Sequence, residues 1–156
     1  MGKIDLSTVP RKAGSGYPEP YASMMSKRSY LRLGDAGGLT QFGANITILE
    51  PGGVSSMRHW HVHEDEFVMV TQGEVVLVND DGETVLHAGD CAAFPAGVEN
   101  GHHFLNRSGV EARFLVIGTC AATETVYYSD VDMMAVDVDG VGTYTRKDGS
   151  PMPGAR

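Results

Sequence analysis

The sequence is poor in several features that would assign it to a class at once. It has two cysteines, one tryptophan and no apolar run reaching the ~18–20 residues of a membrane span. Cys91 and Cys120 are too few for a disulfide framework. Both sit in apolar segments and are expected to be core thiols in a reducing cytoplasm. The opening stretch, MGKIDLSTVPRKAG, has no apolar h-region, so no secretory signal is expected. Between residues 43 and 129 no segment has the length and period of a helix, which excludes a helical bundle.

Basic charge is also scarce. Twelve Lys and Arg face 20 Asp and Glu, for a net charge of −8. A sequence-independent grip on nucleic acid needs a basic surface, and an anionic membrane would repel this chain. Neither partner is therefore expected. From His59 through Asn106 there is no Lys or Arg at all, while Glu64, Asp65, Glu66 and other acids accumulate. That gap weighs against phosphate binding by the middle of the chain. A phosphate contact would have to come from Arg107, Arg113 or the basic first 32 residues.

The length, 156 residues, suits one domain able to bury its own core. Residues 1–42 carry Pro10, Pro18 and Pro20 and read as an arm, with at most a helical turn around Ala22–Lys27. Residues 43–129 hold short apolar runs: Asn45–Glu50, Phe67–Thr71, Val75–Asn79, Thr84–His87, Cys91–Phe94, His103–Asn106, Ala112–Gly118 and Val126–Ser129. Gly-bearing turn signals separate them, Asp81-Gly82 being a strong hairpin signal. Strands at this spacing indicate an all-β sandwich or barrel. Residues 130–156 read as a tail packed on it.

The chemistry concentrates in two segments. His59 and His61 are two residues apart, so on a strand they share a face. A turn through Val62–Asp65 would bring Glu66 opposite them. Two imidazoles and a carboxylate converging in this way suit Fe, Mn, Ni or Zn. The second segment holds His102 and His103, which face opposite ways on a strand.

These residues resemble the cupin superfamily, small bacterial single-domain cupins in particular. Gly53, His59, His61, Glu66 and Gly73 fill every position of the first cupin motif. Gly89, Pro95, Gly97 and Asn106 match the second, but Asn100 stands where that motif has His. A loop two residues longer would restore the spacing from His102 to Asn106, and His103 is the competitor for the same role. The resemblance implies a double-stranded β-helix, the jelly-roll barrel, with the arm and tail lying across its outside. It implies one divalent transition metal on His59, His61, Glu66 and His102, with Glu66 also the catalytic carboxylate. Val68, Val70 and Phe104 would line the pocket, and Asn100 and Phe104 would meet a small-molecule substrate. A homodimer is expected. Three functions remain open: an isomerase or epimerase of a sugar-like or hydroxy-carbonyl metabolite, an iron-dependent dioxygenase, or a non-catalytic metal or metabolite binder.

Overall fold

The apolar runs become strands, and the pairings among them are antiparallel. A computed structural model describes residues 2–152. One layer is a six-stranded sheet. Its strands in spatial order are β1 (Arg11–Ala13), β2 (Arg28–Arg32), β3 (Phe42–Leu49), β10 (Ala112–Thr119), β5 (Glu66–Gln72) and β8 (Cys91–Phe94). The opposing layer has two parts. One runs β7 (Gly82–His87), β6 (Glu74–Asn79), β9 (His103–Leu105); the other runs β13 (Val141–Thr145), β12 (Met134–Val138), β11 (Thr123–Tyr128), β4 (His59–His61). A backbone bridge joins them. His59 N–H donates to the His102 carbonyl at 3.1 Å, and His102 N–H to the His59 carbonyl at 2.8 Å.

Strand alternation explains the layering. On β5, Val68 and Val70 are buried while Phe67 and Met69 point out to solvent. Their buried side meets Leu49, Val75, Phe104, Ala112 and Phe114 in the core between the layers. The turn from β5 into β6 needs Gly73. Its φ is +71°, and a Cβ there would stand 3.0 Å from the Glu111 carbonyl oxygen. The Asp81-Gly82 signal falls on the β6–β7 hairpin, where Asn79 pairs with Gly82. This is the jelly-roll barrel that the sequence implied.

The arm does more than lie on the outside. β1 and β2 continue the six-stranded sheet beyond β3. Val9 and Leu31 pack with Ile48 on its outer face. The sequence hid β2 because Arg28-Ser-Tyr-Leu-Arg32 puts polar groups on the face that an ordinary sheet would fill with aliphatics. The helical turn is present as α1 (Tyr21–Met24), and a second, α2 (Leu33–Gly37), was not anticipated. The tail likewise extends the opposing layer through β12 and β13. The two thiols correct the sequence reading. Both Cys91 and Cys120 are exposed, because β8 is an edge strand on which Cys91 faces out and Cys120 lies just past the end of β10.

Candidate metal centre

β4 pairs with β11, setting His59 opposite Tyr128 and His61 opposite Val126. His59 and His61 share one face. Trp60 takes the other and stacks on Tyr127, with ring centroids 4.9 Å apart. The turn after β4 is held by Glu124, a residue that sequence reasoning missed. Its carboxylate is 3% exposed and accepts the N–H groups of Val62 at 2.9 Å and His63 at 3.0 Å. The signal was an acid inside the apolar strand Thr123–Tyr128. With the turn fixed, β5 starts at Glu66, whose carboxylate faces back toward β4. Donor atoms of His59, His61 and Glu66 lie within 4.8 Å of one another.

The bridge between layers brings in the second segment. Because His59 and His102 pair directly across it, their side chains emerge on the same face. His102 is 1% exposed, and its ring lies flat on Phe94. Its Nε2 is 3.2 Å from Glu66 Oε1. His103 turns the other way, with Nδ1 3.1 Å from the Ser56 carbonyl oxygen. His103 is thus placed away from the cluster, and His102 in it.

The preceding loop accounts for this register. Asn100 accepts the Asp80 N–H at 2.8 Å and donates to the Asp81 carboxylate at 2.9 Å, tying the loop to the β6–β7 turn. Gly101 passes so close to the Ser129 side chain that a Cβ there would collide with it. Asn106 closes the segment. Its amide donates to the Leu49 and Val110 carbonyls and accepts from the Ser108 N–H and hydroxyl, so it is fully satisfied and buried.

His59 is prepared as a neutral donor. His59 Nδ1 lies 2.9 Å from the Met57 carbonyl oxygen, which fixes the proton there and leaves Nε2 as an acceptor. Burial, followed by the neighbouring His102 and His61, pushes the His59 pKa down to about 3. Glu66 is held below its ordinary value. Burial alone would raise it, but the His102 hydrogen bond and the surrounding imidazoles outweigh that.

An ion bound at about 2.0–2.2 Å holds two of its donors no more than about 4.3 Å apart. His61 Nε2 to Glu66 Oε2 is 3.9 Å, and the His102–Glu66 separation is shorter still. Donor chemistry and spacing therefore fit a divalent transition metal. A second group, His61 with Glu64 and Glu124, is also close-set, but Glu124 is committed to backbone N–H groups.

The cluster forms one wall of a cavity of about 490 Å³. Phe104, Phe114 and Val116 supply apolar lining, whereas Val68 and Val70, expected there, lie in the packed core. Arg28, Tyr30, Tyr17 and Tyr144 also line it, on residues distant in sequence from the cluster. Tyr128, paired with His59, connects the two groups. Its ring lies 6.1 Å from that of His59 and 5.5 Å from that of Tyr17. Burial pushes the Tyr17 pKa up to about 12 and raises that of Tyr128, so both hydroxyls stay protonated at neutral pH. Asn100 is not at this cavity. It borders a smaller one of about 300 Å³, beside Trp60 and Pro95.

A cupin-domain family model matches residues 45–118. Among solved structures, a sugar phosphate isomerase of the cupin superfamily from Silicibacter pomeroyi is 56% identical, with a TM-score of 0.95, over 97% of this chain and 96% of its own. A protein provisionally named a sugar phosphate isomerase, from Acidithiobacillus ferrooxidans, is 26% identical over 80% of each chain, with a TM-score of 0.73. The polyketide cyclase RemF of Streptomyces resistomycificus is alike in fold alone, at 23% identity over 78% of this chain and 80% of its own, with a TM-score of 0.63. No match is found among curated proteins.

Proposed function

The chain belongs to the cupin superfamily, and from that premise we propose that it is a metal-dependent isomerase or epimerase of a small sugar-like or hydroxy-carbonyl metabolite. The observation that carries this reading is the convergence of His59, His61, Glu66 and His102 on one cavity wall. The relative named a sugar phosphate isomerase supports the reaction class. These four residues would hold the metal. When bound, it would polarise adjacent carbonyl and hydroxyl oxygens of the substrate and make the intervening C–H bond more acidic.

The chain's own residues do the rest. The Met57 carbonyl keeps His59 in one tautomer. Phe104 and Phe114 wall the cavity and exclude water from the carbon skeleton. In an aldose–ketose exchange the Glu66 carboxylate takes the proton from the hydroxyl-bearing carbon and returns it to the former carbonyl carbon, while the hydroxyl proton passes to the former carbonyl oxygen. Tyr128, protonated and next to His59, can donate a hydrogen bond to a substrate oxygen.

The test is metal analysis of unsupplemented protein, followed by isomerisation and oxygen-consumption screens. Interconversion of an aldose and ketose, or of two epimers, without oxygen uptake is the expected result. Metal-dependent oxygen consumption would instead identify a dioxygenase. Metal uptake without turnover in either screen would identify a binder.

We also propose a cytoplasmic homodimer, with the arm 1–42 and tail 130–156 completing a barrel 43–129. Phe42, Phe67 and Met69 leave apolar surface exposed on the outer face of the six-stranded sheet, and the edge strand β8 is open to pairing. Light scattering at micromolar concentration is expected to give twice the chain mass; a monomer would contradict the dimer.

A further inference from the structure

We propose that Arg28 anchors an anionic group of the substrate, a phosphate or a carboxylate, in the cavity it shares with the metal centre. This rests on the functional reading above and adds the charge of the substrate and the residue that reads it.

β2 lies one strand beyond β3, and Arg28, Tyr30 and Arg32 pair with Leu49, Thr47 and Asn45. Alternation places the three on the cavity side, beside Thr47 and Asn45, while Leu31 turns to Ile48 on the outer face. The two arginines differ in what opposes their charge. Arg32 has Asp35 at 3.4 Å. Arg28 has no carboxylate within 4.0 Å among the described residues. Its Nη1 donates to the Gly14 carbonyl at 3.0 Å, and its Nε is buried with no partner. The guanidinium carbon sits 4.9 Å from the centre of the Tyr30 ring.

A guanidinium remains charged at any ordinary pH. Taking it out of water costs free energy that a partner of opposite sign recovers, and a buried N–H without an acceptor adds to that cost. The burial is felt, since it draws the Arg28 pKa below its ordinary value. Beside this cation the described residues place tyrosine rings and one carbonyl, and the carboxylates that share its cavity are Asp35, paired with Arg32, and Glu66 in the histidine cluster. A planar fork with a free Nε–H matches the paired oxygens of a carboxylate or phosphate. The two candidates outside the arm are already engaged. Arg107 grips Glu83 through two bonds of 2.6 and 2.7 Å, and Arg113 bonds Glu111 at 2.7 Å. In a chain of net charge −8, an unopposed cation inside a cavity is what draws an anion there. Tyr17, protonated and in the same cavity, is positioned to add a hydroxyl donor.

The test is titration calorimetry on chelator-treated, metal-free protein, with inorganic phosphate in one arm and acetate in the other. The stronger of the two identifies the group. Wild type is expected to bind one of them at one site per chain. Arg28→Gln should weaken it about tenfold or more, Arg28→Lys less, and Arg32→Gln by under about threefold, as loss of a charged hydrogen bond implies. Equal binding by Arg28→Gln and wild type would overturn the proposal, as would no binding of either anion, or binding that appears only with metal loaded. Should Arg28→Gln fail to fold, the Nε–H resonance of Arg28 in wild type decides: it should shift on saturation with the anion, and an unmoved resonance overturns the proposal. Metal uptake by wild type is measured separately. Anion binding lost in Arg28→Gln, in a protein that takes no metal, would sink the functional reading and keep the site. Metal uptake with Arg28-independent anion binding would do the reverse.

Discussion

Two groups of polar side chains line the same cavity, and the chain assembles them differently. The histidine cluster comes from β4, the start of β5 and the residue before β9, all between positions 59 and 102. The arginine–tyrosine group comes from residues before 33 and after 127: Tyr17, Arg28 and Tyr30 from the arm, Tyr128 from β11 and Tyr144 from β13. The first is fixed by short-range pattern and a direct backbone pairing. The second exists only because a strand from each end of the chain is added to a sheet. On the proposed reading, the metal chemistry would be carried by the compact middle of the chain, while recognition of the rest of the substrate would fall to its two ends.

Removing ligands from the histidine cluster should produce the largest effect. His59→Ala together with His61→Ala should take metal content from one equivalent per chain to near zero by elemental analysis, while leaving phosphate or acetate binding at Arg28 intact. A double variant that keeps one equivalent would break the separation between the two groups. The next effect is on affinity. His102→Ala should weaken metal binding by about 100-fold or more through loss of one donor, while His103→Ala should leave it within about twofold. The opposite pattern in a competition titration would show that the register of the loop is off by one.

Acid should weaken the histidine cluster before it reaches the arginine–tyrosine group. His59 titrates near 6.5 when unfolded and near 3 when folded. Between those values the unfolded chain binds more protons, so its contribution to stability is complete above about pH 6.5 and falls as pH drops toward 3. The slope is at most about 1.4 kcal/mol per pH unit per proton. Denaturant unfolding of metal-free protein at several pH values should show the decline, and a flat profile would contradict it. Metal affinity should fall over the same range, because protons compete for the imidazoles.

The smallest effects concern the loop that sets the register. Asn106→Ala removes the donor to the buried Leu49 carbonyl and should cost about 1–3 kcal/mol in stability. Asn100→Ala removes two exposed hydrogen bonds to the turn and should cost about 1 kcal/mol or less without changing anion binding. Denaturant midpoints distinguish the two, and equal losses would mean that the loop is held by something other than Asn106.

The same contrast governs what could be read from the sequence. The strands from β3 to β11 were legible because alternation and glycine turns are local. His59, His61 and Glu66 were legible because their spacing follows the strand period across one turn. His102 against His103 was not settled, since Phe104 and Leu105 are both apolar and the deciding contact, the bridge to His59, is long-range. β2 was missed because its cavity face carries Arg28, Tyr30 and Arg32 in place of aliphatics. Glu124 went unnoticed because its partners are backbone N–H groups of a distant turn, and the acid within its strand was the one mark it left in the sequence. The exposed cysteines were misjudged because apolar neighbours do not reveal that β8 is an edge.

The most direct test of the central claim is anomalous diffraction at the metal edge from crystals of the metal-loaded protein. One peak per chain is predicted, within about 2.0–2.2 Å of nitrogens from His59, His61 and His102 and of a Glu66 oxygen. A peak beside Glu64 and Glu124, one coordinated by His103, or none at full loading would contradict it.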